Sequence, residues 1–395
     1  MRFLFIALIS YLLLIISPHS YAKDPYIIGL DADLSAVAKD GGVAIQRGAQ
    51  IAIEEINAQG GVMGRPLKLV SKDHRGNPAR GKHNIKAFAA TPNLIAILGG
   101  VHTPVVLQEL DLINQYKIPF LIPWAAGTPI IDNGFEPNYV FRLSIRDEQA
   151  GSVLVKEAKA EGHQKVALLL EQTGWGRSNQ DSIQKASLEQ GINVTHVSWF
   201  NWRQKSMKNE LTRIKESGAT AIMLVANAPE GATIIREILK SPEFKALTVY
   251  SHWGIAGGQF TESFKSEELL TVNLSVLQTY SFITPTNPSL NKKVLRSYAN
   301  KFDKDVTAES MISAPGVAHS YDLIHLLAKA VELGNSVESA NIQKSLENIK
   351  SFKGLVKEYK PPFSPANHDA LMSHDYFMAK YNESGFLVPK THAEK

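Results

Sequence analysis

Two Thr-Pro steps, Thr103-Pro104 and Thr128-Pro129, lie in the stretch ILGGVHTPVVLQELDLINQYKIPFLIPWAAGTPI that runs from Ile97 to Ile130. A threonine caps a helix start and a proline suits its first turn, so each step predicts a buried strand turning into a helix. The first N–H groups of such a helix have no partner within it and point back toward the strand end. Two such ends side by side make a cradle for an anion such as a carboxylate. In an open α/β sheet this place, outside the carboxyl ends of the strands, is where ligands bind.

Other chemistry-bearing residues fall at similar positions. Trp124, Trp175 and Trp253 stand in loops after apolar runs, and aromatic walls suit a flat, amphipathic or cationic ligand. Asp31 and Asp33 follow the first apolar run, and Asn227 and Glu230 open the segment VANAPEG. Each has a plainer reading. The threonines can simply cap helices, and the tryptophans can pack between halves of the molecule. His102 can be a hydrogen-bonded loop histidine, and the aspartates can make turns. Asn227 and Glu230 fit the charge preference of a first helical turn. Trp199 and Trp202, in the polar WFNWRQK segment, read as surface or packing residues. His368-Asp369 and His374-Asp375 stand six residues apart, which suits no familiar metal site, and read as solvated surface.

These residues need a scaffold, and the hydrophobic pattern supplies one. Tyr26 to Leu30 predicts a strand; Ile45, Ala49, Ala52, Ile53 and Ile56 share one helical face, and Gly60-Gly61 ends that helix. A strand at Pro66 to Val70 and a helix at Ala79 to Ala90 follow, then the opening stretch, then an exit strand at Val140 to Leu143. From Gln149 the alternation restarts with strands at Val166 to Leu170, Ile192 to Val197, Ala221 to Val225 and Thr248 to Tyr250, and helices between them. Strand and helix in alternation argue for parallel sheets covered on both faces, hence an α/β fold of two doubly wound halves. The later segments, including helices near 292–302, 314–332 and 342–349 and a strand-like HDYFMAKY, are too few for a third domain. They are expected to complete the two sheets, so the chain crosses between halves more than once.

Composition bounds the function. Arg2 followed by an apolar run from Phe3 to Ile16 and the end Ser20-Tyr21-Ala22 reads as a secretory signal peptide over residues 1–22. No later run reaches the roughly 18 to 20 apolar residues that span a bilayer. There is no cysteine, so neither a disulfide nor a lipidated cysteine is available. The 42 basic and 38 acidic residues nearly balance, which gives no electrostatic case for nucleic acid. No G-x-S-x-G, H-E-x-x-H or P-loop motif is present. Gly174-Trp175-Gly176 has Asn179 where a dinucleotide fingerprint needs a small residue, so no enzyme is expected.

At RGAQIAIEEINAQGGVMGRPLKLV (47–70), ILGGVHTPVV (97–106), IPFLIPWAAGTP (118–129), ATAIMLVANAPEGATIIREI (219–238) and APGVAHSYDLIHLLAKA (314–330) the chain resembles the type I periplasmic binding proteins, specifically the branched-chain amino-acid binding family of ABC importers. The resemblance implies two Rossmann-like lobes joined by a three-crossover hinge that closes on a ligand. It places 23–144 plus about 277–350 in lobe 1 and 145–276 plus about 351–395 in lobe 2. It also implies a periplasmic monomer that takes a small, amino-acid-like or carboxylate-bearing ligand to an inner-membrane permease, with no cofactor and no metal. Carried over by position, the ligand contacts fall on His102 and Thr103 in the first turn, and on Trp124, Ala125, Ala126 and Thr128 in the second. In lobe 2 they fall on Trp175, Asn227 and Trp253, with Asp33 after the first strand. The chain departs from the family where amino-acid binders carry a loop acid for the ligand's ammonium, because this loop reads SHWGIAGG with His252 and Trp253. Asp31, Asp33, Glu171 or Glu230 could replace that acid. An exported sensor that shows its closed form to a membrane kinase or chemoreceptor would use the same fold.

Overall fold

The structure is a computed structural model that describes residues 24–390, so the signal-peptide segment lies outside the described residues. Fourteen strands form among the described residues. The first five, β1 (Tyr26–Ala32), β2 (Leu67–Asp73), β3 (Leu94–Gly99), β4 (Phe120–Ile122) and β5 (Val140–Arg142), make a parallel sheet in the order β2-β1-β3-β4-β5. Their side chains are largely apolar and buried on both faces, as expected of strands flanked by helices.

The second sheet has seven strands. β6 (Lys165–Glu171), β7 (Asn193–Phe200), β8 (Ala221–Val225), β9 (Thr248–Ser251) and β10 (Leu274–Gln278) run parallel in the order β10-β9-β8-β6-β7. A separate hairpin pairs β11 (Phe352–Lys353) with β12 (Glu358–Tyr359). β13 (Phe377–Tyr381) then adds to β10 antiparallel, and β14 (Leu387–Pro389) adds to β13. The fold is α/β with two lobes. The expected strands are present within a few residues, and the late helices run over Pro288–Lys301, Ala314–Gly334 and Ser339–Asn348.

Contacts show why the late segments return to earlier ones. Helix Ala314–Gly334 lies against helix Lys39–Ala58 so closely that a Cβ on Gly48 would stand 2.2 Å from the carbonyl oxygen of Val317. Asp322, inside the same helix, accepts the N–H groups of Leu355 and Val356 and the Tyr359 hydroxyl, and so pins the β11-β12 hairpin. The reading of His368-Asp369 as solvated surface is corrected, since both are buried. Arg142 Nε donates to Asp369 at 2.5 Å and Arg146 Nη1 at 2.9 Å, while the His368 ring stacks on Phe141 at 4.0 Å. A backbone bridge from Arg142 to Asp369 draws that segment inside. Spacing along the chain cannot register such a pairing.

Candidate functional site

The carboxyl ends of β3 and β4 face those of β6, β8 and β9 across the gap between the lobes. Their loops meet. Trp124 from the loop after β4 stacks on Trp253 from the loop after β9, with ring centroids 4.5 Å apart and planes 19° apart. Thr128 N–H donates to Ser178 Oγ across the same gap at 3.1 Å. Between the lobes remains a cavity of only about 10 Å³, lined from the first lobe by His102, Thr103, Trp124 and Ala126, and from the second by Glu171, Trp175, Asn227 and Trp253. The lobes are closed, and the aromatic rings fill the cleft.

Seven of the expected residues therefore come together: His102, Thr103, Trp124, Ala126, Trp175, Asn227 and Trp253. Ala125, Thr128 and Asp33 stand apart from the cavity lining. Ala125 donates its N–H to the carbonyl of Gly100 and ties the two turns to each other. Asp33 lies behind the first turn, where its carboxylate accepts the N–H groups of Ala36 and Ala38 and pairs with His102 Nε2 at 3.0 Å. Burial alone would raise the Asp33 carboxyl, but the bonds from His102 and those N–H groups outweigh it and hold the group down to about 2. Asp33 thus fixes the ring that faces the cleft.

The double helix-start cradle is corrected. His102, not Thr103, is the cap residue of helix Thr103–Gln115, and the Thr103 hydroxyl accepts the N–H of Gly127. Thr128 opens only a three-residue 3-10 turn, and its hydroxyl accepts the N–H of Glu148. Both threonines join distant turns to one another instead of capping a helix. One full helix start, at Thr103–Gln115, remains at the cleft.

Of the four acids that could replace the one absent from the SHWG loop, Glu171 alone lines the cavity. Glu171, the last residue of β6, lines the cavity and is fully buried. Its Oε1 accepts the Thr173 hydroxyl at 2.6 Å, and its Oε2 accepts Trp202 Nε1 at 3.0 Å and Asn227 Nδ2 at 2.8 Å. Burial pushes this carboxyl up to about 7 in spite of those bonds. His252 and Trp175 both bond to Asp147 Oδ1, at 3.1 and 3.2 Å, so the loop histidine stands against an acid from the lobe junction. Gly254 is needed beside them, since a Cβ there would meet Ala226 O at 2.4 Å and the Trp175 ring at 2.5 Å.

The remaining acids face elsewhere. Asp31 accepts Asn84 Nδ2 and abuts Glu109 inside the first lobe, where burial raises both carboxyls. Glu230 accepts the N–H of Arg203. Trp202, read from sequence as surface or packing, lies at the cleft edge with its ring 5.6 Å from His102. Asp147, the first residue of helix Asp147–Ala160, and Trp202, two residues past β7, escape sequence reasoning because their partners lie far along the chain. The one available signal is that Trp202 adjoins a strand end.

Comparison with known proteins fits this geometry. A family model described as periplasmic binding protein matches residues 25–385. The chain belongs to the periplasmic binding protein family. Its members are solute binders of the periplasm and not enzymes. The Leu/Ile/Val-binding protein homolog 3 of Brucella melitensis is 23% identical over 331 residues, covering 83% of this chain and 85% of that protein. A type 1 periplasmic binding protein from Bordetella pertussis Tohama I superposes with a TM-score of 0.83 at 21% identity, covering 93% of this chain and all of that one. An ABC transporter solute-binding protein from R. palustris in complex with 4-hydroxybenzoate superposes with a TM-score of 0.77 at 18% identity, covering 93% of this chain and 96% of the other. The likeness to the branched-chain amino-acid binding family read from the sequence holds.

Proposed function

We propose that this protein is the solute-binding component of an ABC importer, capturing a small carboxylate-bearing solute with a flat body between its lobes and handing it to a membrane permease. The observation that carries this reading is the Trp124–Trp253 stack across the gap, with Trp175 and the Glu171–Asn227 pair beside it. Two rings from opposite lobes that meet when the cleft is closed are placed to part and admit a flat solute between them. The solute's carboxylate would lie at the start of helix Thr103–Gln115, where the helix dipole favours negative charge. A hydroxyl or ammonium at its other end would reach Glu171. The solute bound by the R. palustris protein has this shape.

The name of the Brucella relative favours a second reading, a branched-chain amino acid. In that case Glu171 must ionise to pair with the ammonium, because a buried ammonium without an acid costs several kcal/mol. Lobe 1 in this reading comprises the first sheet with helix Ala314–Gly334 and the segment through Asp369, and lobe 2 the second sheet. The contacts of Asp322 and Arg142 support drawing the last crossover after Asp369 and before β13.

A thermal-shift panel of aromatic carboxylates, amino acids and amides tests the proposal, because a solute that binds only the native state raises the melting temperature. An aromatic carboxylate is expected to give the largest rise. A rise with leucine, isoleucine and valine alone would sink the flat-solute reading.

A further inference from the structure

A second cavity, of about 550 Å³, opens away from the cleft and shares no lining residue with it. Its volume falls in the range of small-molecule sites. Elements of both lobes and the start of helix Ala314–Gly334 contribute to it. Its inner wall is aromatic, with Phe260 and Tyr280 buried and Phe377 and Tyr381 beside them. Four carboxylates line it as well: Asp40, Glu262, Asp303 and Glu309. No lysine, arginine or histidine is among the lining residues.

None of the four acids has an ion-pair partner among the described residues. Glu262 accepts Gln259 Nε2 and Asp303 accepts the N–H of Asp305, which leaves their charge in place. Lys39 and Arg47 act on Asp40 only at a distance, and Arg236 lies over the Phe264 ring at 5.6 Å without joining the lining. Like charges gathered at one opening repel each other and draw in a cation.

A buried polar group inside the cavity points the same way. Gln278, the last residue of β10, is 5% exposed and lines the cavity. Its Nε2 donates to the carbonyl of Leu277 at 2.7 Å, while its Oε1 accepts no hydrogen bond from the described residues. This acceptor is open to a hydrogen-bond donor on a ligand in the cavity, and the surrounding carboxylates favour one that is charged.

We propose that this cavity is a second binding site, for an organic ammonium ion with an aromatic or apolar body. The ammonium lies among the carboxylates and Gln278 Oε1, and the body lies against Phe264, Phe377 and Phe386, the lining rings that keep part of their surface exposed. The site is separate from the cleft, so its occupant differs in charge from the carboxylate-bearing solute proposed there.

Isothermal titration of the protein with 2-phenylethylamine tests this, with neutral 3-phenylpropan-1-ol as the control. Saturable one-to-one binding of the amine alone is expected. Affinity should fall at least tenfold in the Asp40→Asn/Glu262→Gln double variant and in Gln278→Leu, and should stay within twofold of the parent in the cleft variant Glu171→Gln. The two acids are not part of the core, so their variant should melt with the parent, which melting curves check. Equal binding of the alcohol, full affinity in the double variant, or no saturable amine binding up to millimolar concentration would overturn the proposal. Loss of amine binding only in Glu171→Gln would overturn it too, by moving the amine to the cleft. Absence of amine binding would leave the cleft reading standing, since the thermal-shift panel tests that separately.

Discussion

Glu171 is the residue on which the chemistry of the cleft turns. An unfolded glutamate ionises near 4.5, whereas burial holds this one at about 7 in the native chain. Between those values the unfolded state gives up a proton that the folded state keeps, so stability falls as pH rises from about 4.5 to about 7 and levels off above. Glu171→Gln should remove that slope and leave the variant up to about 3 kcal/mol more stable than the parent at pH 8. Urea melts at pH 5 and pH 8 measure it, and parallel slopes for parent and variant would refute it. Asp33 has the opposite sign, being held at about 2 against 3.8 when free. Its contribution is fully present above about pH 4 and is lost as pH falls through 2. Asp33→Asn should cost about 2 kcal/mol at pH 7, and the two proteins should converge in acid. If the solute carries an ammonium, its affinity should rise about fivefold from pH 6 to 7 as Glu171, held at about 7, ionises. An aromatic acid without one should show no such rise, and calorimetry at the two pH values separates the cases.

At the scale of elements, the helix pair Lys39–Ala58 and Ala314–Gly334 bears much of the first lobe. Gly48 lets the two backbones touch, so Gly48→Val should cost about 3 kcal/mol. A denaturation midpoint equal to the parent's would contradict that packing. The strands and helices of both sheets are legible in the sequence because each carries its own apolar period, and runs such as ILG in β3 and VALLL in β6 need no tertiary information. The general location of the cleft is legible for the same reason, since it comes from strand ends. The roles of Thr103 and Thr128 are not, because they bond to Gly127 and Glu148, partners that only the closed turns bring near. Asp147, Trp202 and the buried His368-Asp369 pair depend on contacts between distant segments, which local spacing does not encode.

For the whole molecule the central question is how two lobes that already touch receive a solute. The Trp124–Trp253 stack and the Thr128–Ser178 bond hold the cleft shut, and a cavity of about 10 Å³ admits no solute. On the proposed reading, capture requires the hinge to open and the rings to part, and closure then brings both rings onto the solute instead of onto each other. Each ring then trades its partner for the solute. Calorimetric titration with the aromatic carboxylate that raises the melting temperature most, comparing the parent with Trp124→Ala and Trp253→Ala, tests this most directly. The account predicts one-to-one binding that weakens at least tenfold in each variant while both remain folded. Parent-like affinity in both variants would contradict it.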